Sequence, residues 1–375
     1  MKKTLNKTFF RGFVLLWLAA ALINLLLPYR NYSENENRYL SAFPKFSVAE
    51  MINGKYMNKI ETYLNDQFIL RDNWISTQSA LEYALGKREN NGVFIGKGAL
   101  MDKIDDPDED VIAKNISGIN YFISATNLPA SVMIVPSASE IQPYKLPLFA
   151  QPWNQKDKID TIYHAIDGAA CIDVFSALAQ HQDEYIFYRT DHHWTTYGAY
   201  LAYGAYCDKN HLEAVDYSAD VVSTTFNGTL YSNSGVRFME SDTIEAYTNT
   251  AGTSCDIFDG KNTTQYDSIY FPEHLDRKDQ YAYFLGTNQP VVTLYSKNEK
   301  APKLLILKDS YAHCMAPILL EHYSQITLVD LRYINSRLDD YFNISDYDNV
   351  LFLYSMDTFV NQNSLHKLTF LLETK

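Results

Sequence analysis

Leu304-Leu305-Ile306-Leu307-Lys308-Asp309-Ser310-Tyr311 is the stretch on which the fold turns. Four apolar residues in a row, stopped by polar ones, read as a strand buried on both faces, as strands of parallel sheets are. The segments after it predict strand 303–307, helix 311–321, strand 326–330, helix 335–342, strand 349–354 and a last helix. That βαβαβ order implies parallel strands with helices on both faces, an α/β fold.

Upstream the alternation continues. Asp108 to Ala125 is amphipathic, with Val111, Ile112, Ile116, Ile119, Phe122 and Ile123 on one face, and Ser131 to Val135 is a buried-type strand stopped by Pro136. A helix near Lys158–Ile166 leads to a strand at Cys171-Ile172-Asp173-Val174, and a helix is expected over 196–208. Residues 210–280 are rich in Asn, Ser, Thr and Asp with weak periodicity, which predicts irregular β structure or an insertion. Residues 51–85 read as two helices with Arg71-Asp72 near the break, and Asn90-Asn91-Gly92 as a turn before the strand Val93-Phe94-Ile95. The expected organisation is a cytoplasmic tip and anchor over 1–30, a connector with lead-in helices over 31–90, and an α/β domain over 91–375.

Composition narrows the function. The 375 residues, 46% apolar and 21% charged, suffice for a full globular core. A formal charge of −13 disfavours a nucleic-acid binder and a broad docking surface for a strongly anionic polymer. The four cysteines, at 171, 207, 255 and 314, have no metal-ligand spacing, and Cys171 is expected in the core. Lys2, Lys3, Lys7 and Arg11 precede an apolar run ending at Leu27. Thr8 to Leu27 is long enough to cross a hydrocarbon core, and the leading positive charges place the rest of the chain outside the cytoplasm. Ala19-Ala20-Ala21 falls inside the apolar run, which favours an uncleaved anchor over a cleaved signal peptide.

The candidate chemistry comes from two distant segments. Ser310 falls where the strand gives way to a helix, at the carboxyl end where ligands of parallel sheets bind. A helix start there supplies free N–H groups, that of Tyr311 among them, to an oxyanion. The simpler alternative is that Asp309 or Ser310 only caps the helix. In Tyr188-Arg189-Thr190-Asp191-His192-His193-Trp194-Thr195, an extended backbone puts Asp191 and His193 on one face and His192 on the other. Asp191 then orients His193, whose other nitrogen is free to take the proton of Ser310. Metal ligation by the paired histidines lacks a third ligand at a recognisable spacing, and a purely structural role for them is the remaining alternative. Gly228 in Phe226-Asn227-Gly228-Thr229 and Asn288 in Phe284-Leu285-Gly286-Thr287-Asn288 either donate to an oxyanion or form ordinary turns. Arg332, at the end of the next parallel strand, faces the same crevice as Ser310 and either binds substrate or pairs with an acid.

Asp191-His192-His193-Trp194 resembles the signature of the DHHW family, related to alginate O-acetyltransferases with an SGNH-hydrolase-like catalytic domain. The resemblance extends through Glu36-Asn37-Arg38-Tyr39-Leu40-Ser41-Ala42-Phe43-Pro44, Asp66-Gln67-Phe68-Ile69-Leu70-Arg71, Asn91-Gly92-Val93-Phe94-Ile95-Gly96 and Lys308-Asp309-Ser310-Tyr311. It implies a three-layer α/β/α fold with a mainly parallel sheet and permuted motif order. It also implies a serine nucleophile at Ser310, with Lys308 where the SGNH pattern has glycine. By the same resemblance Gly228 and Asn288 map to the oxyanion donors, and Asp191 and His193 to the Asp-x-His pair. The expectation is therefore a membrane-anchored, extracytoplasmic O-acetyltransferase of a cell-surface or secreted polysaccharide. It needs no cofactor or metal, and a multi-span membrane acyltransferase would pass on its acetyl donor. The alternatives are an esterase with the same triad and a catalytically silent glycan-binding or assembly protein.

Overall fold

The computed structural model describes residues 2–372. The chain divides into two compact units, one of residues up to Lys87 with Gly235–Phe238, the other of Arg88–Ser234 and Met239 onward.

In the first unit, the helix Lys2–Leu26 is, among the described residues, the one long and apolar enough to cross a membrane; a signal sequence passes the same test. The expected pair of lead-in helices forms as Lys55–Asp66 and Arg71–Ala84, preceded by a short helix Val48–Ile52. Two of the quoted segments meet here. The Asp66 carboxylate accepts from Arg38 Nη2 (2.6 Å), Arg38 Nη1 (3.1 Å) and the Ser41 N–H (2.8 Å), while Arg71 pairs with Glu36. The hydrogen bonds from Arg38 hold Asp66 down to about 2 against the opposing effect of burial.

The second unit is built on one eight-stranded sheet. Its strands are β1 (Ala130–Val135), β2 (Ala169–Cys171), β3 (Ser254–Phe258), β4 (Thr263–Tyr266), β5 (Val291–Tyr295), β6 (Lys303–Lys308), β7 (Gln325–Val329) and β8 (Asn349–Ser355). They lie in the order β4-β3-β5-β7-β6-β8-β1-β2. β7, β6, β8, β1 and β2 run parallel, and β5, β3 and β4 add an antiparallel edge. Side chains alternate through the sheet as the two-residue strand period requires. Leu304, Ile306, Leu351 and Leu353 pack on one face with Tyr203, Tyr206 and Met315, from the helices Thr196–Asn210 and Ala312–Leu319. Leu305, Leu307, Val350 and Phe352 pack on the other with Ile119, Phe122 and Ile162, from the helices Glu109–Thr126 and Gln155–His164. The result is three layers around a continuous apolar sheet.

Three expectations need correction. The helix foreseen at 335–342 is only a 3₁₀ turn, Leu338–Asp340. Leu331, Ile334 and Leu338 are buried at helix-like spacing, but the polar residues beside them favour turns, and Asn343 captures the N–H and hydroxyl of Ser345. The strand foreseen at 171–174 ends at Cys171, which is half-buried, because Asp173 caps the helix Val174–Ala179 by accepting from the Ser176 N–H at 3.0 Å. Residues 210–280 are more than an insertion. They contain the antiparallel pair Ala219–Phe226 and Asp242–Tyr247, and they supply β3 and β4 to the main sheet. All four cysteines are free thiols.

Candidate active site

Ser310 follows the carboxyl end of β6, and the turn that carries it is held by its neighbour. The buried Asp309 carboxylate accepts from the Tyr311 N–H (3.0 Å) and, through its other oxygen, from the N–H (2.8 Å) and hydroxyl (2.7 Å) of Ser355 at the end of β8. Asp309 therefore fixes the elbow from inside.

The Asp-His-His-Trp segment is a closed loop rather than a strand. Tyr188 N–H donates to His193 O and Thr195 N–H to Ile186 O, so residues 189–193 bulge between them as consecutive bends. The buried Asp242 holds the bulge, accepting from the N–H groups of Arg189 (2.7 Å) and Thr190 (2.8 Å) and from Tyr185 Oη (2.5 Å). Trp194 Nε1 donates to Tyr311 O at 3.0 Å and ties the loop to the serine's helix. Thr195 then caps the helix Thr196–Asn210 by accepting from the Gly198 N–H.

These two supports bring three expected residues together. Asp191 Oδ1 lies 2.5 Å from His193 Nδ1, and His193 Nε2 lies 2.7 Å from Ser310 Oγ. Asp191 Oδ1 also accepts from the His193 N–H (3.1 Å), and Oδ2 from the N–H (2.8 Å) and hydroxyl (3.0 Å) of Thr229. The Tyr281 ring stacks on His193 at 3.9 Å and 12°. Burial would raise the Asp191 carboxyl, but the charges of His192 and His193 and the hydrogen bonds it accepts keep it well below the ordinary carboxylate range. Burial and the neighbouring His192 push His193 down to about 4 despite Asp191. His193 is thus a neutral imidazole at neutral pH, as a base must be.

The model of a family described as DHHW protein matches residues 36–131 and 130–329. The chain belongs to the DHHW family. No curated protein matches it. Among solved structures it is similar to a DHHW family protein from Eubacterium siraeum, with 24% identity, a TM-score of 0.66, and coverage of 76% of this chain and 98% of that one. It is also similar to Bacillus cereus PatB1, with 20% identity, a TM-score of 0.61, and coverage of 72% and 98%. The O-acetyltransferase domain of Pseudomonas putida AlgJ matches at 16% identity and a TM-score of 0.45, over 74% and 98% of the two chains.

The DHHW site departs from expectation at the remaining residues. His192 does not point away: its ring centroid is 3.9 Å from that of His193, and it lines the Ser310 cavity, because the bends replace the extended backbone. The Tyr311 N–H is engaged by Asp309 rather than free. The Gly228 N–H donates to Thr190 Oγ1 at 3.0 Å, so it is not aimed at Ser310. Asn288 is exposed in the loop before β5 and is not among the residues lining the cavity. Arg332 does line the cavity, and both expected roles meet in it: Asp330 holds its guanidinium through bonds of 2.8 Å and 2.6 Å.

The cavity of about 140 Å³ is also lined by Asp102, Ser137, Ser355, Asp357, Thr358 and Gln362, none foreseen from the sequence. Lys308 does not crowd the elbow. Its buried ammonium donates to His313 Nε2 (2.7 Å) beside Asp330 (3.8 Å), and burial lowers it to about 8. Asp191, His192 and His193 bring one ligand-type atom each within 4.8 Å of one another. Both nitrogens of His193 and both oxygens of Asp191 have hydrogen-bond partners.

Proposed function

We propose that this DHHW protein is a membrane-anchored serine O-acetyltransferase that modifies a polysaccharide outside the cytoplasm. The observation that carries the reading is the unbroken Asp191–His193–Ser310 hydrogen-bonded line at the carboxyl end of a parallel sheet. Its order in the chain, acid and base before serine, fits a permuted SGNH-like site. His193 Nε2 takes the Ser310 proton as Oγ attacks the donor's carbonyl. The proton then goes to the leaving group, and an acetyl-serine remains. A sugar hydroxyl gives its proton to His193 and attacks that ester, and His193 passes the proton to Oγ as the acyl–serine bond breaks and Ser310 is released. Asp191 holds the imidazole and favours its charged form in both steps.

The Ser310 N–H, which has no acceptor among the described residues, is free to donate to the oxyanion, and the cationic Arg332 lines the same cavity. A cavity of about 140 Å³ suits an acetyl group better than a long acyl chain. The N-terminal helix would anchor the domain, with Lys2, Lys3, Lys7 and Arg11 on the cytoplasmic side. The acetyl donor would then have to cross the membrane, which calls for a multi-span partner.

The test is release of p-nitrophenol from p-nitrophenyl acetate by the full chain in detergent, beside Ser310→Ala. Loss of at least 100-fold in the variant is expected, and equal rates would sink the triad. Glycan acceptors then decide the outcome of the acyl-enzyme: acetylated sugar supports the transferase, and free acetate alone means an esterase.

A further inference from the structure

Two imidazoles, their rings tilted by 35°, lie close together beside Ser310, and the mechanism above uses one of them. With ring centroids 3.9 Å apart in a largely buried site, both cannot be imidazolium cations without strong repulsion. The surroundings of the two rings differ. His193 is enclosed, with Tyr281 on its face and Ser310 Oγ on Nε2. The His192 side chain is 31% exposed and opens into a cavity lined by Asp102 from the strand Leu100–Asp102, Asp309 from the elbow and Asp357 from the helix Met356–Asn361. Asp191 Oδ1 is 3.8 Å from its Nδ1, and Arg332 is the other cation lining the cavity.

Hydrogen-bond direction fixes which nitrogen of His192 bears a proton in either charge state. Thr229 has one hydroxyl proton, and Asp191 Oδ2 can only accept it. Thr229 Oγ1 therefore accepts from His192 Nδ1, 2.6 Å away, and that nitrogen is protonated. A further proton on Nε2 makes the ring a cation, next to the cavity's carboxylates.

We propose that His192 carries the one positive charge the pair holds at neutral pH, and that this charge keeps His193 free to take the proton of Ser310. This rests on the acyl-transfer reading and makes His192 a positioning residue, acting through His193. Burial works against the charge on His192, but the carboxylates of Asp191, Asp102, Asp309 and Asp357 outweigh it and raise its pKa. The consequence is an enzyme that keeps working in mildly acidic surroundings, where a triad histidine of ordinary basicity is already protonated.

The test begins with the wild-type full chain in detergent. Deuterium exchange at the imidazole C2 positions, followed by mass spectrometry across pH, gives a midpoint for each histidine. The expected midpoint of His192 lies above that of His193 by more than about one pH unit; the reverse order overturns the proposal. The pH dependence of kcat/KM is then compared for wild type, His192→Gln and His192→Asn, of which Asn preserves a donor to Thr229. Removing the charge moves the acid limb upward by about one to two pH units, toward the ordinary imidazole value. An unmoved limb in folded variants overturns the proposal, and if the variants do not fold the wild-type midpoints decide. Equal ester cleavage by wild type and Ser310→Ala would instead remove the acyl-transfer reading, a result separate from the exchange measurement.

Discussion

Gly228 lies so close to Asp191 that a β-carbon on the glycine would stand 2.2 Å from Oδ2 and 2.3 Å from Cβ of the aspartate. The absent side chain lets the 226–229 turn close over the carboxylate and present the Thr229 N–H to it. Gly228→Ala forces Asp191 away from His193 while leaving the Gly228 backbone N–H in place. The expected result is a loss of kcat/KM of about 100-fold or more, with stability reduced by roughly 1–3 kcal/mol. Steady-state ester cleavage and urea unfolding measure the two. A kcat/KM within threefold of wild type would mean that the close approach is not needed.

The Tyr281 ring supports His193, while its hydroxyl donates to Ser310 O (3.2 Å) and approaches Cys314 Sγ (3.4 Å). The flat contact fixes the imidazole plane, and the hydroxyl only steadies the turn. Tyr281→Phe should therefore keep kcat/KM within about fivefold, whereas Tyr281→Leu should lower it by about 10- to 100-fold through kcat. Equal losses in both variants would assign the role to the hydroxyl instead.

The strand pattern of β1, β6, β7 and β8 was legible because each strand is apolar on both faces, which a sheet covered by two helical layers requires. Asp191, His193 and Ser310 were legible because their chemistry is unusual for their positions. The supporting groups were not. Asp242 lies over fifty residues from the N–H groups it binds, and Asp309 reads equally well as a simple cap, its reach to Ser355 being set by the β6–β8 pairing. His192 was misplaced because the period-two argument assumes extended backbone, and Asp242 holds this loop in bends. Gly228 was expected as an oxyanion donor or a turn residue; its close approach to Asp191 is a contact across the fold that spacing does not reveal.

Asp102 predicts a gain in stability. Burial raises its carboxyl to about 6 from 3.8, His192 opposing and Asp357 and Asp191 adding to the rise. The folded protein thus binds a proton more tightly than the unfolded chain. The favourable contribution is present in full below pH 3.8 and is lost as pH rises through about 6. At pH 7 the carboxylate costs at most about 3 kcal/mol, less where water reaches the cavity. Asp102→Asn should match wild type in stability near pH 4 and exceed it by on the order of 1–3 kcal/mol at pH 7. Chemical denaturation at the two pH values checks the sign; an advantage at pH 4 that vanishes by pH 7 would contradict it.

Trp194 joins the two halves of the site. Its ring is completely buried, and its indole N–H is the bond from the acid–base loop to Tyr311 O, one residue beyond the serine. Trp194→Phe keeps an aromatic ring but removes that donor, leaves the Tyr311 carbonyl without it and opens a small cavity. A loss of about 2–4 kcal/mol in stability follows from the two effects together. The bond from the Tyr311 hydroxyl to His192 O remains, so the His193–Ser310 distance is held less firmly, and kcat should fall by about 10-fold or more with little change in KM. Because no charge is altered, the acid limb of the pH–rate profile should stay where it is. A variant that loses stability but keeps wild-type kcat would show that Asp242 and Asp309 position the two halves without this bond.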